Sequence, residues 1–251
     1  MKAHPMLFNT EMVKALLTGN KIQTRRPMKQ QPEETPKSEG DYWFPSHKCQ
    51  QMVRISHLKE VTSNDPSFIN CVSPWEIGDL IYVRESFQPI FADGFSHEYG
   101  EQPDYKTGHG YEPIYPATDG ITEYCDADMG VTSKITPSIH MPRWASRLTL
   151  KVTGVRIERI QDISEQDAIA EGIKCYSFTP DDGWPPCNGY THLQEDDGAG
   201  QLHSKASGAF GSLWKSAYGD SWEKNEWVWV IDFEVIHQNV DHYLAAQENA
   251  A

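Results

Sequence analysis

Cations are scarce in this chain of 251 residues: 22 Lys and Arg stand against 36 Asp and Glu, for a formal net charge of −14. Affinity for a long nucleic acid comes from neutralising its phosphates. Sequence-independent RNA or DNA binding is therefore disfavoured unless the few cations cluster. A nucleoside without phosphates is not excluded by acidity. Cysteine is sparse too, five residues at irregular spacing with no C-x-x-C pair. An odd count of this kind is a poor disulfide framework and suits a reducing compartment. Long apolar runs are missing: none approaches the ~20 residues that a membrane-spanning helix needs. Met1-Lys2-Ala3-His4-Pro5 leads into no apolar segment of a secretion signal. A cytoplasmic monomer with no membrane partner is expected. Repeats and domain linkers are also absent.

What is present is enough apolar material for a core: 38% hydrophobic residues and eight Trp. The residues imply one domain over 1–236 and a dispensable polar tail over 237–251, helical around 243–247. Three stretches rich in Pro, Gly and polar residues read as loop insertions, near 27–73, 88–138 and 174–207. Within the first, Tyr42-Trp43-Phe44 is an aromatic patch expected to pack back onto the body, and residues 52–55 suit a short strand. The second is long enough to build a lid or loop wall. Neither His47, Cys49 and His57 nor Cys175, Cys187, His192 and His203 show zinc-site spacing. No metal and no cofactor are expected.

The informative stretch is residues 7–26, L-F-N-T-E-M-V-K-A-L-L-T-G-N-K-I-Q-T-R-R. Asn9 or Thr10 can cap a helix, Met12, Ala15 and Leu16 give it one apolar face, and Gly19 ends it. Lys21, Thr24, Arg25 and Arg26 follow at once. A hydroxyl near an amine is a possible nucleophile–base pair. In a fully extended strand Lys21 and Thr24 face opposite ways; a turn at 19–21 lets them converge. A solvated basic turn explains the same composition.

Three later blocks are equally regular. Residues 74–87 make a turn at Gly78-Asp79, a strand over 80–83, and then Arg84-Glu85. Residues 137–147, P-S-I-H-M-P-R-W-A-S-R, place His140 and Arg143 before strands at 148–152 and 155–160. Residues 161–173 suit a helix capped by Ser164, with Asp167 three residues on as a near capping box. Glu171 lies in its last turn, where the helix dipole disfavours it. A functional carboxylate can show a conflict of that kind, although from this helix alone a surface glutamate is the better explanation. An amphipathic helix over 210–218 and a strand over Trp227–Ile236 complete the chain.

The run Gly19, Lys21, Thr24 and Arg26, G-x-K-x-x-T-x-R, resembles the signature of the ASCH domain family. The G-D-x-I-x-V-R-E run ending in Arg84 and Glu85 and the block around Pro142 resemble its larger phage and prophage members. The A-x-x-E-x-I pattern at Ala168, Glu171 and Ile173 matches the place of the family's catalytic glutamate. The resemblance implies an α+β, PUA-like fold: a small β-barrel with flanking helices, the three insertions lying outside it. It implies an amidohydrolase acting on N4-acetylcytidine-like nucleosides, with Lys21, Thr24 and Glu171 catalytic. Arg26, Arg25, Glu85, Arg84 and His140 are the candidate substrate-binding residues. The alternative is a non-catalytic PUA-like module that binds RNA or a modified base.

Overall fold

The structure, a computed structural model, describes residues 1–34, 41–46, 50–54, 73–92, 103–125, 130–179, 187–195 and 201–250. In chain order its strands and helices are β1 (Ala3–Leu7), α1 (Thr10–Leu17), β2 (Gln23–Pro27), β3 (Glu33–Glu34), β4 (Tyr42–Ser46), β5 (Gln51–Arg54), β6 (Leu80–Arg84), β7 (Gln88–Phe91), β8 (Tyr111–Ile114), α2 (Pro116–Asp119), β9 (Tyr124–Cys125), β10 (Val131–Thr132), β11 (Thr149–Arg159), α3 (Glu165–Ala170), β12 (Lys174–Phe178), β13 (Cys187–Thr191), α4 (Ala206–Tyr218), β14 (Trp227–Ile236) and α5 (Val240–Ala250). The class is mixed α+β, as expected. The small closed barrel is not seen: among the described residues no sheet closes on itself. The strands of the expected insertions pair with one another, as β3–β4–β5, β7–β8, β9–β10 and β12–β13, and so add hairpins rather than staves. Among the described residues no helix is long and apolar enough to cross a membrane.

The chain forms two compact units, Met1–Leu17 with Leu80–Leu150 and Val235–Ala251, and Thr18–Asp79 with Lys151–Glu234. In the first, β1 runs parallel to β6, from Ala3 opposite Leu80 to Leu7 opposite Arg84. Leu80, Ile81 and Val83 are buried. Asn9 Oδ1 accepts the Met12 N–H at 2.8 Å and caps α1, whose Val13, Ala15 and Leu16 are buried. Phe87, Met141 and Ala145 form an apolar cluster with Tyr115 and Trp144 against it. The C-terminal residues, expected to form a polar tail, bond to the body of this unit. Asn239 Nδ2 donates to the carbonyls of Arg143, Trp144 and Ser146. Val240 is fully buried, and Arg143 grips Asp241 through Nε and Nη2.

In the second unit β14 pairs antiparallel with β2, setting Asp232 opposite Gln23, Ile231 opposite Thr24, Val230 opposite Arg25 and Trp229 opposite Arg26. The strands expected at 148–152 and 155–160 are one strand, β11, which runs through Gly154. A Cβ there would meet Asp232 Oδ2 at 2.8 Å, so this glycine serves a close approach and not a break. Tyr42 and Phe44 lie edge-on to Trp227 and Trp229, with ring centroids 5.3 and 6.2 Å apart. His47, Cys49 and His57 lie outside the described residues, while Cys175 and Cys187 are exposed free thiols.

Candidate functional site

The helix expected over 161–173 is shorter: a 3-10 turn at Ile160–Asp162 precedes α3. Ser164 caps α3 by accepting the Asp167 N–H at 3.0 Å, and its hydroxyl donates back to the Asp167 carboxylate at 2.8 Å. Glu165 turns outward to cap α4, accepting the Ala206 N–H at 2.7 Å and the Ser207 hydroxyl. Glu171 is the C-cap residue, held by its N–H to the Asp167 carbonyl. It is only 4% exposed.

Gly19 takes φ +74°, which turns the chain out of α1 and toward β2. Lys21 then pairs with Glu171 as an isolated antiparallel bridge. The Lys21 side chain is fully buried, and its Nζ donates to Glu171 Oε2 at 2.7 Å and to the Glu171 carbonyl at 2.8 Å. Two residues 150 positions apart thus meet, and the lysine satisfies a carbonyl at the end of α3. The unfavourable dipole at Glu171 is offset by a cation at the same terminus. Burial pushes the Lys21 ammonium down from the ordinary lysine value; Glu171 pulls it up, and the Arg26 and Arg25 charges add to the depression.

Gln23 and Arg25 alternate with Thr24 and Arg26 along β2, so the two pairs occupy opposite faces of the strand. On the first face a charged network continues from Glu171. Arg25 Nη1 donates to Glu171 Oε1 at 3.2 Å and to Gln23 Oε1, and its Nη2 donates to Glu158 at 2.8 Å. Asp167 lies 3.4 Å from the same nitrogen. Gln23 Nε2 donates to Asp232 at 2.6 Å and Asp167 at 3.1 Å. Arg156 closes the set, bonding Glu158, Asp167 and Asp232 at 2.6, 2.9 and 2.8 Å. Burial works to raise the Asp167 carboxyl, but Ser164, Gln23, Arg156 and Arg25 bring it below the ordinary value.

The expected site residues fall into two groups. Lys21, Arg25 and Glu171 are in direct contact. Arg25 has no exposed side-chain surface, and every carboxylate it meets belongs to this chain. Thr24 is 1% exposed, and its hydroxyl makes no hydrogen bond among the described residues. Arg26 Nη1 bonds the Tyr218 hydroxyl at 3.0 Å. Arg84, Glu85 and His140 belong to the other compact unit. There, buried Glu85 accepts both Nε and Nη2 of Arg147 at 2.9 Å, Arg84 donates to the Ile139 carbonyl, and His140 is exposed. Burial raises the Glu85 carboxyl against the pull of Arg147. Arg147 also lies 3.9 Å above the Tyr115 ring.

Sequence reasoning missed Gln23, Arg156, Glu158, Asp167 as a charge partner, and Asp232. A signal existed for each strand residue. Asp232 interrupts the apolar run Trp227–Phe233 of β14, and Arg156 and Glu158 alternate with buried Val155 and Ile157 in β11. Comparison with family models, with curated proteins and with solved structures gives no match.

Proposed function

We propose that the chain is an amidohydrolase of the ASCH type, PUA-like in fold, that removes the acyl group from an N4-acylated cytosine nucleoside. The observation that carries this reading is the contact of fully buried Lys21 with Glu171, at 2.7 Å, two residues before the strand that bears Thr24. A lysine serves as a base only when neutral, and burial favours the neutral form. In the proposed reaction the Thr24 hydroxyl oxygen bonds to the acyl carbon while Lys21 takes its proton. The bond from that carbon to N4 breaks as Glu171 relays a proton to the departing nitrogen. Cytidine leaves with that proton, and an ester on Thr24 remains. Water, deprotonated by Lys21, attacks the ester carbon; the bond from that carbon to the Thr24 oxygen breaks, Lys21 returns the proton to that oxygen, and the carboxylic acid leaves. Lys21 and Glu171 act as one coupled pair in these steps.

A PUA-like module binding RNA or a modified base is the other reading. It calls for cations available to phosphates, whereas Lys21 and Arg25 are committed to carboxylates of this chain. That pairing favours the enzyme. The test is to incubate the protein with N4-acetylcytidine and longer N4-acyl homologues and to follow cytidine by chromatography. Stoichiometric binding with no cytidine from any homologue transfers the proposal to the binding module.

A further inference from the structure

We infer that Arg25, steered by Gln23, is a positioning residue that fixes one oxygen of Glu171 and leaves the other to Lys21. The inference rests on the amidohydrolase reading of the site and assigns the network behind it a task. Its starting point is the orientation of one amide. Gln23 is 4% exposed, and its nitrogen faces two carboxylates, Asp232 at 2.6 Å and Asp167 at 3.1 Å. An amide oxygen there would meet two acceptors with no proton to offer. The amide therefore has one workable setting, with Oε1 toward Arg25.

Arg25 is set in turn. Its Nη2 is taken by Glu158 at 2.8 Å, and its Nη1 is shared between Gln23 and Glu171. The planar fork has fixed geometry, so the carboxylates of Glu158 and Glu171 and the oxygen of Gln23 define where the guanidinium lies. Its contact toward the proposed site is with Glu171 Oε1, at 3.2 Å, while Oε2 faces Lys21. The two carboxylate oxygens are thereby made inequivalent. One is pinned by a guanidinium, a donor with no acceptor atom; the other is the oxygen through which a proton can pass to or from Lys21. With no exposed surface, Arg25 acts on a substrate only through Glu171.

The charged groups around the pair come from every neighbouring element: Arg25 and Arg26 from β2, Arg156 and Glu158 from β11, Asp167 from α3 and Asp232 from β14. Arg25 is among the charges that depress Lys21. Loosening it withdraws positive charge from the pair and lets the Lys21 value rise.

Two variants test this. Gln23→Met removes the amide at nearly constant volume, and Arg25→Lys keeps the charge but loses the fork. Each is assayed for hydrolysis of N4-acetylcytidine. Lys21 is titrated in each by 13C NMR at Cε, assigned against Lys21→Arg. In Gln23→Met, kcat is expected to fall roughly 10- to 100-fold, the scale of a misplaced catalytic group, with KM unchanged and the Lys21 midpoint displaced upward. In Arg25→Lys, kcat falls while the midpoint holds. Wild-type kcat and midpoint in folded Gln23→Met, or full kcat in Arg25→Lys, overturns the inference. A wild type that hydrolyses nothing removes the amidohydrolase reading alone. The Lys21 midpoint then still upholds the positioning role by moving in Gln23→Met, or overturns it by staying.

Discussion

A buried ammonium loses its hydration, and Lys21 recovers part of that loss from two acceptors on one residue, the carboxylate and the carbonyl of Glu171. The same arrangement serves as the cap of a short helix and as a candidate proton store. The two roles make different demands on the proton. As a cap, Lys21 is best charged; as a base, it must give the proton up. Burial depresses its value in the folded chain. Between that depressed value and the ordinary 10.5, the unfolded chain holds a proton that the folded chain has lost. Stability contributed by this group therefore rises with pH across that window and is flat below it. Urea unfolding of wild type and Lys21→Met between pH 7 and 10 checks the sign. The wild type gains stability relative to the variant as pH rises, and a constant difference contradicts the depression. Thr24 makes the opposite kind of case, since a nearly buried hydroxyl with no acceptor among the described residues has little structural work to lose.

At the scale of elements, the network depends on strands meeting at chosen registers. Asp232 reaches Gln23 because β14 sets them opposite one another, and it lies against β11 because residue 154 has no side chain. Gly154→Ala presses on the Asp232 carboxylate, the flexible end of a side chain, and displaces it from Gln23 and Arg156. A loss on the order of 1 kcal/mol is expected, the worth of one such hydrogen bond, read as a shift of the urea midpoint. Asp232→Ala should remove most of that difference.

The element scale also separates what the chain reveals in one dimension from what it does not. The Asn9 cap, the Gly19 turn, the Ser164–Asp167 cap and the strand Trp227–Ile236 rest on neighbours in sequence, and each was legible there. The meeting of Lys21 with Glu171 spans 150 positions and came only through a motif resemblance. β11 read as two strands, 148–152 and 155–160, and the reason for Gly154 between them, Asp232, lies 78 positions away across the sheet, the difference of the two residue numbers. The insertions read as loops because Pro and Gly mask short strands. Tyr42–Ser46 is a strand whose own Pro45 stands opposite Met52. The charged partners of Arg25 were invisible because a carboxylate on an amphipathic strand reads as a solvated face until its neighbours are known.

At the scale of the molecule, the −14 charge opposes long polyanions, while the local network pairs its cations one by one with acids. The C-terminal segment is a second whole-chain feature. Removing residues 237–251 deletes the three Asn239 bonds, the buried Val240 and the Arg143–Asp241 grip. A loss of about 4 kcal/mol or more is expected from hydrogen bonds of ~1 kcal/mol each and a buried Val side chain. Thermal unfolding of the shortened chain measures it, and an unchanged Tm shows the tail to be an appendage.

We propose an amide-cleaving site at Lys21, Thr24 and Glu171 on this acidic chain. Its most direct test is the rate of cytidine release from N4-acetylcytidine by wild type and Thr24→Val, followed from pH 6 to 10. Release by the wild type is expected to climb with pH as Lys21 loses its proton. None above background is expected from Thr24→Val, in a variant whose Tm is unchanged because only a hydroxyl has been exchanged for a methyl. No release by the wild type, or undiminished release by Thr24→Val, contradicts it.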